Sequence, residues 1–483
     1  MVSVYGNYID GEWTAAEAGE ATEVYNPARP TEVVSRQGRA TAADTTAAID
    51  AAVAARREWA DSPGSERGAV LRATASRLAD RREEATETLV REEGKTRSEA
   101  GGEVGRAIDI FYYYAEKARD LGGTVKSADT RGQNLSTRRE PLGTVGLITP
   151  WNYPIAIPAW KLAPALAAGN TVVHKPATST PNVARILFEC LDSAGLPAGV
   201  ANLVVGPGSE VGDRIASSDR IDGVSFTGST AVGTTVAETA ANDLKRVQCE
   251  MGGKNPTVVM PSADVDEAVD IVGVGAFGTT GQSCTATSRA IVHEDVHAEF
   301  LAAMVEYAAD LEVGDGLDDP DMGPHVSRGE LDSTLEYVDV GQSEGATLET
   351  GGERIVANPS EDGFFVSPAV FSGVESDMRI AQEEIFGPVL SVIRVADFEE
   401  ALAVANDVDY GLSASIVTDD HGEANEFVDR VEAGVVKVNE KTTGVGLHVP
   451  FGGYKRSSTD TYREQGDAGL DFFTSVKTVY DNY

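Results

Sequence analysis

Cys284 stands in GQSCTATSR (281–289), a glycine-led run of small polar residues with little apolar bulk to bury a thiol. The chain has 3 cysteines, and Cys190 and Cys249 lie in runs that read as packed elements. A thiol becomes a strong nucleophile once its pKa falls, and small neighbours let an electrophilic carbon reach it. Glu250, in CEMGGKNP, ends a strand-like run ahead of two glycines, where a carboxylate can swing into a site and activate water. Asn152, in TPWNYP (149–154), sits between an aromatic and a proline turn, a setting that fixes an amide as an oxyanion donor. GSTAVG (228–233) follows the strand DGVSF and opens a helix whose N–H groups could hold a pyrophosphate, although it lacks the G-x-G-x-x-G fingerprint. Taken singly, each has an ordinary alternative: a structural cysteine, a solvated carboxylate, an Asx turn and a plain strand–helix turn.

The elements that must position these residues are legible in the texture of the chain. Residues 42–60, 66–93 and 98–120 carry helical spacing; the aromatic run Phe111 to Tyr114 cannot share one face, so part of it must line a pocket or pack on another domain. From residue 143, GTVGLITP, AWKLAPALAAGN, TVVHKP, TPNVARILFECLDSAGLP, VANLVVG, GSEVGDRIASS and IDGVSFTG alternate strand and helix. That rhythm means parallel βαβ units in a doubly wound sheet, with ligands at the strands' carboxyl ends, where TPWN, HKPATS, VVGPG and FTGST share one rim. A second alternation runs from KNPTVVM (254–260) to AGVVKVNE. Residues 343–363 read as exposed loops, and LDFFTSVKTVYDNY as a late strand that could join STRREP (136–141) in a small separate sheet.

With 483 residues, 41% hydrophobic and 24% charged, the chain is expected to hold two or three globular domains. No apolar run is long enough to span a membrane, and MVSVYGNYIDGEW has no secretion-signal pattern. Unspaced cysteines give no disulfide framework, so a cytoplasmic setting is expected, and no metal. The formal charge of −37 argues against a nucleic-acid partner, and 11 of the 40 basic residues are lysine. Acid spread along the whole chain reads as a solvated surface adapted to high salt, where screening shortens repulsion; the alternative is an ordinary acidic protein.

The order of the motifs says more than any one of them. TPWNYP, AWKLAPALAAGNTVVHKP, FTGSTAVG, EMGGKNP, GQSCTATSR, EEIFGPV, NDVDYGLSAS and PFGGYKRS follow one another as in the aldehyde dehydrogenase superfamily, which the chain resembles nearly end to end, with 34 residues from Glu250 to Cys284. The resemblance implies an α/β fold: a Rossmann-like coenzyme domain (1–121 and 141–251), a catalytic domain (252–460) and a small β bridging element (122–140 and 461–483) that joins subunits into a homodimer or homotetramer. It also implies that Cys284 is the nucleophile, Glu250 the base and Asn152 the oxyanion donor, with Lys161 supporting the site around Asn152. Lys175 matches the lysine that binds the adenosine ribose, Gly228 and Ser229 the phosphate contact, Trp151 the adenosine-side cleft, and Glu384 and Phe386 the pair at the nicotinamide riboside.

Thr178 departs from the commonest pattern. Many relatives that use NAD carry glutamate three residues after the lysine matched by Lys175; KPATSTP has threonine there, which removes repulsion of a 2′-phosphate. NADP is therefore expected to be accepted and preferred over NAD. The C-terminal third resembles the 2,5-dioxopentanoate (α-ketoglutarate semialdehyde) dehydrogenases, implying a role in pentose or sugar-acid breakdown. An acidic aldehyde wants cations or several donors at the pocket mouth. Lys441, Thr442, Thr443 and His448 are candidates, with Phe451 beside them, and WNYPIAIPAWK offers no arginine clamp. Succinate semialdehyde, glyceraldehyde and aliphatic aldehydes stay open as substrates. Glu250 argues against a coenzyme A-acylating enzyme, no histidine motif supports a thiol hydrolase, and a non-catalytic nucleotide-binding protein is the remote alternative.

Overall fold

The N-terminal helical texture folds into four helices, Ala42–Asp61, Gly64–Asp80, Arg82–Glu93 and Arg97–Lys117, in a computed structural model that describes residues 4–14, 21–356 and 362–483. Thr41 and Asp44 form a capping box on the first helix, and Thr96 and Glu99 form one on the fourth. Buried Leu71, Leu78, Leu89, Val104 and Phe111 pack the last three helices against Ala156–Ala167 and Pro181–Ser193 over one face of a sheet, while Ala48, Ile49 and Ala52 of the first pack in a separate cluster with Val173 and Ile215.

That sheet has seven strands in the order Arg246–Glu250, Gly223–Thr227, Thr144–Ile148, Thr171–Lys175, Ala201–Leu203, Asn7–Ile9 and Glu12–Thr14. The first five run parallel, and the N-terminal hairpin adds the last two antiparallel. Ile148 pairs with Lys175, and Thr227 with Glu250, so TPWN, HKPATS, FTGST and EMGG leave the sheet at one rim.

A second sheet of seven strands runs Thr347–Thr350, Ala369–Ser372, Val389–Val395, Thr287–His293, Asn255–Val259, Ser413–Val417, Val435–Val438. All but the first edge strand are parallel. The region read as loops at 343–363 therefore supplies an edge strand, Thr347–Thr350, and a short hairpin, Arg354–Ile355 with Phe365–Val366; residues 357–361 lie outside the described residues. Leu348 is the one apolar residue of that edge strand, so the apolar signal there is weak.

The late strand Thr474–Asn482 pairs antiparallel with Gln133–Pro141 over nine residues, and Val125–Lys126 completes a third sheet. Val125, Val476 and Tyr480 are exposed on it. Residues 463–465 do not follow that sheet but turn back to the cavity described next.

Candidate active site

Cys284 lies between the two seven-stranded sheets, in cavities lined from both halves of the chain. The Val265–Phe277 helix runs into a tight turn, Gly278–Gly281, in which Thr279 and Thr280 both take positive φ (54° and 58°). Left-handed backbone at two consecutive threonines is costly, and surrounding bonds hold it. The Thr279 N–H donates to Glu99 (2.6 Å), and Thr280 Oγ1 to the Gly323 carbonyl (3.0 Å). Beyond the turn, Asn255 Nδ2 donates to the carbonyls of Cys284 (2.9 Å) and Ala286 (2.8 Å) while its Oδ1 accepts from the Ser413 N–H. Gly253 is pressed against the Cys284 carbonyl and Gly252 against the Glu384 carboxylate, where a Cβ would lie 2.6 and 2.0 Å from the facing oxygen. The paired glycines of EMGG are thus needed for close approach.

Two cavities open on either side of Cys284, sharing Thr227, Met251 and the cysteine itself. One, of about 210 Å³, is lined by Trp151, Asn152, Gly228, Ser229, Glu384 and Phe386. The Trp151 and Phe386 rings meet edge to face at 5.3 Å. Trp151, expected toward the adenosine side, thus stands in the same cavity as the thiol. The other, of about 190 Å³, is lined by Tyr153, Ile157, Trp160, Glu250, Val445 and Phe451, and by one stripe of the Arg97–Lys117 helix: Glu99, Gly102, Glu103 and Arg106. A thiol reachable from both sides can meet a substrate in one cavity and a redox cofactor in the other.

Asn152 is buried; its Nδ2 donates to the Gln282 carbonyl (3.0 Å), leaving a second N–H for an oxyanion. Gln282 is fixed in turn by the Val326 N–H (3.0 Å). Glu250 accepts from Ser458 Oγ (2.9 Å) and from the Gly453 N–H (3.2 Å). Burial, and then the Glu464 carboxylate, push the Glu250 carboxyl well above the usual range. Burial also raises the Cys284 thiol, with Glu384 and Glu250 adding to it. Burial thus disfavours the charged form of both groups, and positive charge near the thiol would favour the thiolate.

Lys161 does not reach Asn152 as expected. It is buried in an ion pair with Glu464 and donates to Ser225 Oγ (2.7 Å), which donates onward to Gln248 (2.9 Å). The lysine at Asn152 is Lys95, whose ammonium donates to the Asn152 carbonyl (2.8 Å) and to Glu103 (2.7 Å). Burial alone would lower the Lys95 ammonium, but Glu103 and Glu93 hold it above its ordinary value. Glu103 also accepts from the Ile155 and Ala156 N–H groups (3.0 and 3.1 Å). Lys95, Glu103 and Asn255 were not singled out in the sequence; only the position of Glu103 on one stripe with Glu99 and Arg106 hinted at a shared site.

The first cavity and its rim fit a dinucleotide. Ser229 begins the Thr230–Ala241 helix without capping it, so that turn's N–H groups are free of a side-chain partner. Thr227 Oγ1 is buried without a partner. Glu384 accepts the Gly253 N–H (3.0 Å), and burial raises its carboxyl to about 7. At the neighbouring strand end, Lys175 is buried, donates only to the Pro176 carbonyl (2.9 Å), and is lowered by desolvation to about 8. Thr178 is exposed three residues on. Of the residues expected near the substrate, Phe451 lines the second cavity, against Trp160 at 6.1 Å. Lys441 and His448 are not among its lining residues; His448 is exposed. Thr442 is buried against Thr287, and the Thr443 carbonyl accepts from Lys437.

A thiol and a carboxyl lie between two α/β sheets, beside a rim of strand ends and a helix N-terminus, as a nucleotide-using oxidoreductase requires. Residues 13–479 match the aldehyde dehydrogenase family, and the chain belongs to that family. It is 62% identical over 477 residues to the alpha-ketoglutarate semialdehyde dehydrogenase of Haloferax volcanii, covering 99% of each chain. It is 46% identical over 475 residues to the 2,5-dioxopentanoate dehydrogenase of Saccharolobus solfataricus, covering 98% of each. The crystal structure of Staphylococcus aureus betaine aldehyde dehydrogenase in complex with NAD+ superposes with a TM-score of 0.96 at 34% identity, covering 99% of this chain and 94% of that one.

Proposed function

We propose that the enzyme oxidises 2,5-dioxopentanoate to 2-oxoglutarate, using NADP in preference to NAD, through a thioester on Cys284. The observation that carries the chemistry is the thiol shared by two cavities, one with Asn152 and a dinucleotide-shaped rim, the other with Glu250. The names of the relatives support the aldehyde.

The Cys284 thiolate attacks the aldehyde carbon, and the free N–H of Asn152 with the Cys284 N–H holds the oxyanion. A nicotinamide held beside Cys284 by Trp151, Glu384 and Phe386 would supply the hydride acceptor and a positive charge that favours the thiolate. Collapse of the oxyanion leaves an acyl group on sulfur. Glu250, once ionised, takes a proton from water; the hydroxide adds to the thioester carbonyl, and the acid leaves as the thiolate returns. Lys175, Thr178, Gly228 and Ser229 hold the adenosine and pyrophosphate end, and Trp151, Glu384 and Phe386 the nicotinamide end. Thr178 sets the preference for NADP, because threonine leaves a 2′-phosphate unrepelled and can donate to it. The exposed third sheet is the surface through which chains pair as dimers or tetramers, and the protein works in the cytoplasm.

The test is reduced-nucleotide formation at high salt with NADP or NAD, comparing 2,5-dioxopentanoate with simple aldehydes. Preference for 2,5-dioxopentanoate with NADP is expected; comparable rates on simple aliphatic aldehydes contradict the substrate. Thr178→Glu should cut kcat/KM with NADP more than with NAD, and an unchanged ratio removes Thr178 from the argument.

A further inference from the structure

Arg106 enters the second cavity from the Arg97–Lys117 helix, one stripe position beyond Glu99, Gly102 and Glu103. It forms no ion pair among the described residues. Its one hydrogen bond runs to the amide oxygen of Gln465 (2.7 Å). Desolvation dominates its environment; Tyr153, on the same cavity, and then Asp109, on the same helix, act on it only through space. A guanidinium carries five N–H donors, and a half-buried one without a carboxylate is costly unless something in the cavity answers it.

The neighbouring carboxylates are already committed. Glu99 accepts the Thr96 and Thr279 N–H groups, and Glu103 accepts Lys95 and two backbone N–H groups. Glu250, on the same cavity, accepts from Ser458 and from the Gly453 N–H. One further donor faces no acceptor of the protein: Gln465, oriented by Arg106 through its oxygen, keeps its amide N–H groups. Gln465 is itself held at φ +62° in a turn anchored to the same helix, where the Tyr114 hydroxyl donates to the Gly466 carbonyl (2.9 Å) and Lys117 pairs with Asp467 (2.7 Å). The donors are therefore set before a ligand arrives.

We propose that Arg106, with Gln465 beside it, is the subsite that receives the carboxylate-bearing tail of the aldehyde substrate. The tail's carboxylate takes the guanidinium, and its remaining acceptors take the Gln465 amide N–H groups. Ile157, Val445 and Phe451 enclose the carbons between. This rests on the substrate reading above and gives it a residue: the enzyme selects ω-oxo acids over neutral aldehydes of the same length.

The test is steady-state kinetics of the full-length enzyme, Arg106→Leu and Arg106→Lys with 2,5-dioxopentanoate, succinate semialdehyde and pentanal. Arg106→Leu should lower kcat/KM for both acids, relative to pentanal, by about 10- to 100-fold, the weight of a charge-assisted pair, and chiefly through KM. Arg106→Lys should keep part of that ratio. If a thermal melt shows the leucine variant unfolded, Arg106→Gln and Arg106→Lys carry the same comparison. An unchanged ratio, or an equal fall on all three aldehydes, overturns the assignment. A wild type that prefers pentanal overturns the substrate reading instead, and the ratio between wild type and variants still reports on Arg106.

Discussion

The Cys284 thiol and the Glu250 carboxyl are both pushed up by burial, which disfavours the charged form of each. Their separate tasks give separate signatures. Cys284→Ala should abolish oxidation; surviving activity would refute the mechanism. Asn152→Ala should lower kcat/KM by about 100- to 1,000-fold, the usual cost of one oxyanion donor. The sign of the pH dependence follows from the direction of the Glu250 shift. A base with a raised pKa is protonated and idle at acid pH, so kcat should climb as pH rises through that pKa. A kcat already flat from pH 5 upward would mean that Glu250 ionises like an ordinary carboxylate. At this scale the sequence was readable wherever function needs a local pattern: a small-residue turn around a cysteine, a carboxylate before two glycines. It was silent on Arg106, because the face that a charge takes on a long helix is decided by what packs around that helix.

At the scale of elements, the buried Lys95–Glu103 pair joins the Arg97–Lys117 helix to the loop that carries Asn152. Lys95→Met leaves Glu103 buried without its cation, which should cost about 3–5 kcal/mol of stability. The Asn152 loop loses its anchor as well, so kcat/KM should fall while the cofactor KM stays near wild type. Urea unfolding and kinetics on the same sample check both, and an unchanged unfolding midpoint would contradict the role. The parallel strands of both sheets were legible because buried strands are unbroken apolar runs between turn signals. The edge strand Thr347–Thr350 was not, since its Thr and Glu residues match a loop as well as a half-exposed strand. Lys161 was misplaced for a related reason: its partner, Glu464, lies 303 residues away in sequence, and only the fold joins them. The aromatic run settles as packing. Phe111 and Tyr114 are buried, and the Tyr113 and Tyr114 hydroxyls meet the 466–467 turn rather than the cavity.

For the whole molecule, a charge of −37 on 483 residues sets the conditions under which the fold holds. Most ion pairs are exposed and contribute little each, so salt removes little by screening them. Self-repulsion among the excess carboxylates is the larger electrostatic effect, and its range falls from about 10 Å at 0.1 M salt to about 3 Å at 1 M. The melting temperature should rise with potassium chloride across that range, and a flat or falling trend would contradict the salt-adapted reading. Among the described residues no helix is long and apolar enough to cross a membrane.

The most direct test of the mechanism is to stop the cycle halfway. Glu250→Gln keeps the nucleophile and the oxyanion donor but removes the base, which should slow deacylation by about 100- to 10,000-fold. Mixed with NADP and 2,5-dioxopentanoate, this variant should give a burst of one reduced nucleotide per chain. Intact-protein and peptide mass spectrometry should then find a 2-oxoglutaryl group on the peptide carrying Cys284. A burst without an adduct, an adduct on Cys190 or Cys249, or full steady-state turnover would contradict the account.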